Sequence, residues 1–303
     1  MTPIRLALIG IGKIARDQHL PAIAGDPALQ LVAAVSRNAS VAGVAHFATI
    51  DALIASGLAI DAVSIATPPV GRHAIAAAAF TAGWHVMLEK PPGATLAEVR
   101  ALAPGGRTLF TSWHSRQAAG VAPARAWLAT RKIRAAHIEW RENIRQWHPG
   151  QEWILAPGGL GVFDPGINAL SIVTAILPQP LRVASARLDF PMGRGAPIAA
   201  QVAMATGTAD VTADFDFMQT GQQSWNITIE TDAGTLLLHE GGARLTINAV
   251  EQNVTDTGEY PGVYRHFAAL IAAGASDCDL APLELVADAF LVGARREVAA
   301  FTF

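Results

Sequence analysis

The apolar run Arg5-Leu6-Ala7-Leu8-Ile9 passes straight into Gly10-Ile11-Gly12-Lys13-Ile14-Ala15. No other stretch restricts the fold as much. A buried strand that turns through two closely spaced glycines into a helix is the opening of a βαβ unit. Gly10 permits the tight turn, and Gly12 lets backbone approach a pyrophosphate at the helix N-terminus. Gly10, Gly12, Lys13 and Ile14 are therefore candidate cofactor-binding residues. Ala15 stands where a third glycine often does, so a plain strand–helix turn is the competing reading.

The first third of the chain repeats this alternation. Short apolar runs at 5–9, 31–35, 62–66, 86–88 and 108–112 are separated by helical stretches at 14–24, 49–56, 71–82 and 95–103. Gly57 and Gly83 fall near helix ends, where glycine tolerates a left-handed residue. Strands alternating with helices, each strand almost continuously apolar, predict a doubly wound parallel sheet covered on both faces. Beyond residue 120 the pattern changes. Val211, Ala213, Phe215 and Phe217 interleave with Asp210, Thr212, Asp214 and Asp216, and Trp225, Ile227 and Ile229 with Asn226, Thr228 and Glu230. Period two with one apolar face predicts a largely antiparallel sheet over about 181–255. Two helices, at about 264–273 and 282–300, are predicted to follow. The fold class is thus α/β: an N-terminal Rossmann-type domain over 1–118, and an α+β domain over 119–303. The last helix is free to pack back on the first domain.

Composition excludes several classes. With 51% hydrophobic and 16% charged residues in 303, the chain can bury a large core. A formal charge of -3 and scattered Lys and Arg leave no footprint for nucleic acid. Mean hydropathy is +0.31, much of it from alanine-rich helices, and no apolar run reaches membrane-spanning length. Gly10 and Gly12 interrupt any leader-like apolar segment. The single cysteine, Cys278, allows no intrachain disulfide. No histidine spacing suits a metal, so none is expected. The expectation is a soluble, cytoplasmic protein.

Candidate chemistry sits at strand ends. The run 31–35 ends in Ser36-Arg37-Asn38 without a carboxylate, which favours NADP over NAD: Arg37 can meet a 2′-phosphate and Ser36 can hydrogen-bond it. An exposed loop arginine is the alternative. Thr67-Pro68-Pro69 ends the run 62–66 and either stiffens a cofactor-side loop or is a plain turn. Glu89-Lys90-Pro91-Pro92 follows a strand as well. Pro91 holds Lys90 out of helical conformation, where its amine can reach a substrate for proton transfer, or it is simply a surface turn. Asp164-Pro165 has the look of an N-cap and N1 pair. Asp164 and Asn168, four apart, also share one helix face and could grip adjacent hydroxyls. Three of seven tryptophans fall in 140–153, among Glu142, Asn143 and His148. Indole faces stack on a pyranose and polar groups take its hydroxyls, although packing at a domain seam would use the same residues. His114 follows the last strand of the first sheet and is a further candidate.

The Gly10–Ala15 turn, Thr67-Pro68-Pro69 with His73, Glu89-Lys90-Pro91 and the Asp164/Asn168 pair, in this order and spacing, resemble the Gfo/Idh/MocA oxidoreductase family across essentially the whole chain. The longer matches around Gly10–Ile23, Val86–Leu96 and Gly158–Leu170 are similar to its aldose 1-dehydrogenases, which act on L-arabinose, D-galactose or D-fucose. The resemblance implies NADP, preferred, or NAD bound by Gly10, Gly12, Lys13, Ile14, Ser36, Arg37, Thr67, Pro68, His73, Glu89 and Lys90. It implies Lys90, Asp164 and Asn168 as catalytic residues around a C1 hydroxyl. It also implies His114, Glu142, Trp147, His148 and Trp225 around a monosaccharide, and a homodimer. Many members have His where this chain has Asn168. Asn is no base near neutral pH, so Asp164 or Lys90 must be the base, with Asp164 the expected one. An inositol-type dehydrogenase and a non-catalytic NADP sensor are the alternatives.

Overall fold

The computed structural model describes residues 2–303, which divide into two compact units. The first comprises the chain up to His114 with Gly258–Asp279; the second comprises Ser115–Thr257 with Leu280–Phe303.

The first unit is built on β1 (Ile4–Ile9), β2 (Leu29–Val35), β3 (Ala45–Phe47), β4 (Ala62–Ile65), β5 (His85–Glu89) and β6 (Leu109–Ser112). All are parallel, in the order β3-β2-β1-β4-β5-β6. This is the doubly wound dinucleotide-binding order, whose direction reverses beside β1. Successive strand residues face opposite sides, and both sides are covered. Ala7, Ile9, Val63 and Val86 are buried with the helices α2 (Ile50–Ala55) and α3 (Arg72–Thr81). Leu6, Met87 and Phe110 are buried with Ile23 of α1 (Leu20–Ala24) and with the helix Glu259–Ala273. That double covering is why these strands read as unbroken apolar runs. α4 (Leu96–Arg100) opens with a reciprocal Thr95–Glu98 capping box.

Two local features differ from the sequence expectation. The helix expected over 14–24 contains a π-helical turn, Ala15–His19, before α1. Pro21 has no N–H for the normal i−4 bond, and the wider turn absorbs the defect. The short strand β3 gave no apolar signal. It forms because Ala33, Ala34 and Val35 offer it a pairing edge.

The second unit contains α5 (Val121–Leu128), β7 (Ile133–Arg141), α6 (Ile144–Trp147), α7 (Phe163–Ile176) and β8 (Leu181–Pro191). β9 (Ala199–Thr206), β10 (Ala209–Asp216), β11 (Ser224–Thr231), β12 (Gly234–His239), β13 (Arg244–Ile247) and β14 (Val250–Glu251) follow. After the first unit's helix, now α8 (Glu259–Ala273), come α9 (Ala281–Val292) and β15 (Ala294–Val298). Nine strands run in the order β14-β13-β12-β11-β7-β10-β9-β8-β15. Pairing is antiparallel except for β7 with β10 and β8 with β15. The sheet is therefore mixed, mostly antiparallel, with β7 at its centre. Val211, Ala213, Phe215 and Phe217 all point into the core, as their alternation requires.

The helix expected over 282–300 stops at Val292. A Cβ on Gly293 would lie 2.4 Å from the Ala289 carbonyl and 3.0 Å from Leu188, and the chain turns extended there. Residues 294–298 then pair with β8, and Arg296 bonds Asp189 across the two strands, Nε to Oδ1 at 2.8 Å. Tertiary pairing overrides the local helical preference. No helix among the described residues is long and apolar enough to cross a membrane.

Phe215 lies mid-sheet with its ring edge-on to Phe163 (5.5 Å) and close against Gly166 of α7. Phe215→Ala is expected to cost about 3–5 kcal/mol by urea denaturation, because the cavity it leaves is walled by a sheet and a helix that cannot collapse.

Candidate active site

Gly10 is held at φ +93°, and a Cβ there would lie 2.7 Å from the Thr67 amide nitrogen. The β1 turn and the Thr67 loop thus touch backbone to backbone, which only glycine permits. A Cβ on Gly12 would meet nothing within 4 Å, so that backbone faces open space. The two positions differ as a phosphate-approach turn requires, and the residues fit a dinucleotide. Lys13 pairs with Asp17 one turn on, and Ile14 is exposed. At the end of β2, Ser36 is half-buried and Arg37 exposed. This loop is pinned by β3: Ser36 N–H donates to Phe47 O (2.9 Å), and His46 Nε2 donates to Ser36 O (2.8 Å).

His73 is half-buried on α3, but its neighbour Arg72 ties the loops together. The Arg72 guanidinium, 2% exposed, donates to the carbonyls of Thr67, Glu89 and Pro91. It fastens the Thr67-Pro68 loop to the Glu89-Lys90-Pro91 turn, whose Lys90–Pro91 bond is cis. Lys90 and Thr67 are half-buried, and Pro68 is exposed.

Glu89 is buried, and its carboxylate is the hub of a polar cluster. Oε1 accepts from Tyr260 (2.8 Å) and Ser112 (3.0 Å) and lies 3.2 Å from His19 Nε2. Oε2 accepts the Lys90 backbone N–H at 2.8 Å. Burial opposes ionisation, yet the close His19 imidazole and the attraction of His114 and Lys90 outweigh it and hold the Glu89 pKa well below the ordinary carboxylate range. Burial pushes both tyrosine pKa values up, so the phenols stay protonated and can donate. Tyr264 donates to Ser64 (3.2 Å) and lies 2.7 Å from His19 Nδ1. His114 Nδ1 bonds Glu259 Oε2 at 2.6 Å, and the ring stacks on Tyr260 at 5.3 Å. Sequence reasoning missed Arg72, Ser112 and the Tyr260/Tyr264 pair. The available signal was that the chain's two tyrosines stand four apart on one helix face.

In the second unit, Asp164 and Asn168 lie in the first turns of α7, Asp164 buried and Asn168 half-buried. Asp164 is not the N-cap that the sequence suggested. The helix starts at Phe163, so Asp164 is its second residue. Gly161, at φ +57°, leaves room for the Pro197 carbonyl where a Cβ would lie 2.1 Å away, and this turn starts the helix early. Asp164 N–H bonds Gly161 O at 2.8 Å.

β7 delivers Glu142 just past its end. The buried Glu142 carboxylate accepts from Trp225 Nε1 (2.9 Å) and lies 3.3 Å from His148 Nε2. Trp147 is 43% exposed and edge-on to Trp225. Gln223, unnoticed in the sequence, accepts from Trp147 Nε1 and from the Asn143 N–H, both at 2.8 Å, and donates to Gln146. Glu142, Trp147, His148 and Trp225 are therefore brought together. Among the described residues no group of His, Cys, Asp and Glu could hold a metal ion.

Because Glu89 is ionised in the fold well below its unfolded pKa, it stabilises fully above about pH 4.3, and that contribution is lost as pH falls toward its folded value. Glu89→Gln is expected to lower the urea midpoint at pH 7 and to flatten its acid decline, measured between pH 7 and 3.

A family model described as "Oxidoreductase family, NAD-binding Rossmann fold" matches residues 4–104. Galactose 1-dehydrogenase from Pseudomonas fluorescens is 48% identical over 309 residues, covering 99% of this chain and 99% of that protein. The crystal structure of D-galactose-1-dehydrogenase from Rhizobium etli superposes with a TM-score of 0.94 at 52% identity, covering 100% of this chain and 99% of that one. A 3-ketoreductase from Actinomadura kijaniata, solved with NADP and TDP-benzene, shares the fold at TM-score 0.81 and 18% identity, over 98% of this chain and 100% of that one. With full-length identity near one half and the glycine turn, lysine turn and α7 pair in place, the chain belongs to the Gfo/Idh/MocA family of oxidoreductases.

Proposed function

We propose that the protein oxidises the anomeric carbon of a galacto-configured aldopyranose (D-galactose, D-fucose or L-arabinose) to the lactone. The observation that carries this reading is the buried Glu142 bonded to Trp225 and lying 3.3 Å from His148, beside the exposed Trp147. An indole face with carboxylate and imidazole groups beside it suits one face of a pyranose and its hydroxyls. Its occurrence in a chain about half identical to two galactose 1-dehydrogenases supports the assignment.

Gly10, Gly12, Lys13, Ile14, Thr67, Pro68, His73 and Glu89 would hold the dinucleotide, with Ser36 and Arg37 meeting a 2′-phosphate, so that NADP is preferred and NAD accepted. When bound, the nicotinamide supplies the hydride acceptor. Asp164 takes the proton of the C1 hydroxyl, the O–H electron pair forms the lactone carbonyl, and the C1 hydrogen departs as hydride with both electrons of the C1–H bond. Asn168 donates its amide to the reacting oxygen and cannot compete for the proton. Lys90 orients the same oxygen and offsets its developing negative charge. A hemiacetal hydroxyl is more acidic than an ordinary alcohol, so a carboxylate is base enough.

Absorbance at 340 nm tests this directly. Reduction with D-galactose, D-fucose and L-arabinose, faster with NADP+ than NAD+, is expected. Reduction with myo-inositol alone would move the reaction to a ring alcohol, and silence on every sugar despite NADP binding would sink the reading.

Asp164→Asn and Lys90→Ala should each lower kcat by about 10²–10⁴-fold with NADP binding retained. Near-normal turnover in Asp164→Asn beside a dead Lys90→Ala would transfer the base to Lys90. Arg37→Ala should raise the KM for NADP+ and leave that for NAD+ nearly unchanged.

A further inference from the structure

The strand β15 has a consequence for the segment that carries Trp147 and His148. By pairing with β8 it carries residues 301–303 to that segment. The Arg145 guanidinium lies over the Phe301 ring, 4.5 Å from its centroid, and its Nη2 donates to the Thr302 carbonyl at 2.8 Å. Arg194 makes a second fastening: Nη2 donates to the Phe301 carbonyl at 3.0 Å, and Nη1 pairs with Glu152. Phe301 is 6% exposed and packs edge-on against Phe303. Two arginines, one on α6 and one in the turn after β8, thus grip the same aromatic residue.

The gripped segment needs such support. α6 has four residues, too few to be stable alone. Its own bonds are the Asn143 side chain accepting from Arg145 N–H (2.9 Å), the Asn143 carbonyl accepting from Gln146 N–H (3.0 Å) and Trp147 N–H (3.1 Å), and the terminal His148 N–H to Ile144 O (2.8 Å). Gln223 holds it near Trp147. Arg145 and Trp147 are two apart and so leave the helix on different sides. Arg145 therefore anchors the side away from the indole, and Glu152 is anchored beyond it.

We infer that residues 301–302, through Arg145 and Arg194, clasp residues 143–155 and hold Trp147 and His148 in place for the sugar. Arg145, Arg194 and Phe301 are positioning residues for substrate binding and do not touch the reacting atoms. The consequence for sugar rests on the function proposed above; the clasp rests on geometry alone.

Two measurements separate them. Arg145 is exposed, so Arg145→Ala is compatible with folding, and Phe301→Leu keeps apolar volume while removing the ring. In Arg145→Ala, amides of 143–155 should exchange with deuterium about tenfold faster while those of β7 and α7 are unchanged. The KM for galactose should rise about five- to tenfold in both variants, with kcat within about twofold and the KM for NADP+ unaltered. Phe301→Tyr should restore the wild-type KM. Unchanged exchange over 143–155 overturns the clasp. Faster exchange with an unchanged galactose KM overturns its role in sugar binding, as does a parallel loss of kcat and of both KM values. A wild-type protein inactive on every aldose removes the sugar role together with the proposed function, while the exchange result still decides the clasp.

Discussion

The buried Glu89 carboxylate sets the terms for the first unit. A charge removed from water must be met by fixed partners or be neutralised, and an unpaired one is far costlier than a lost surface contact. Here the partners come from the His19 turn, β6, α8 and the Lys90 backbone. Three of these elements are Rossmann-type; the fourth, α8, arrives after eight of the second sheet's nine strands, with only β15 still to come. The first unit is therefore closed by chain from 258–279, and its polar corner is incomplete without Tyr260. The same carboxylate fixes the lysine turn from within by accepting the Lys90 N–H, while Arg72 fixes it through the carbonyls on either side. The lysine backbone and the Thr67-Pro68 loop are held by one connected set of hydrogen bonds, so disturbance of any member should reach Lys90 through its backbone.

The second unit solves a different problem. A wide sheet must bury one face and leave the other acceptable to water. β10 does this residue by residue, with Val211, Ala213 and Phe215 inward and Asp210, Thr212 and Asp214 outward. On the outer face Arg141 pairs with Asp214 and with Glu139, which lie opposite each other on β10 and β7, and Arg296 pairs with Asp189, so the acids there are offset by arginines. The central strand β7 ends at Arg141, and the next residue, Glu142, turns into the polar cluster. The most constrained strand of the sheet thus carries the carboxylate that orients Trp225 and His148, and rigid elements position side chains more closely than loops do.

What could be read from the sequence was what is encoded locally. The glycine turn, the unbroken apolar runs of β1, β2, β4 and β5, and the alternation of β10 and β11 need only neighbours a few residues away to be interpretable. Features decided by distant partners were hidden. β15 lies in Ala-Arg-Arg-Glu-Val, a stretch with no strand alternation, and is settled by Asp189 about a hundred positions earlier. Arg72 looks like an ordinary helix-opening arginine until three carbonyls from two loops surround it. His114 read as a cleft residue, and the structure bonds it to Glu259 and stacks it on Tyr260. Asp164-Pro165 read as cap and first turn, but the Gly161–Pro197 contact begins the helix before them. In the candidate site, residue types were legible and their mutual bonding was not.

The amide at position 168 gives the proposed chemistry its asymmetry. A histidine there would compete for the hydroxyl proton; an asparagine only donates and accepts hydrogen bonds, with the same strength at every physiological pH. In the proposed reaction proton transfer would then fall to the Asp164 carboxylate, and orientation to Asn168 and Lys90. Such a site is selective in an uneven way. A group placed to hydrogen-bond a ring hydroxyl is left unpaired in a desolvated pocket when an epimer binds, and rejection by unpaired polar groups is strong. The presence or absence of one methyl or hydroxymethyl, by contrast, is worth only ~1–3 kcal/mol where it meets an apolar surface. Under the proposed function, the substrate range would therefore follow the stereochemistry of the ring rather than the length of the carbon chain.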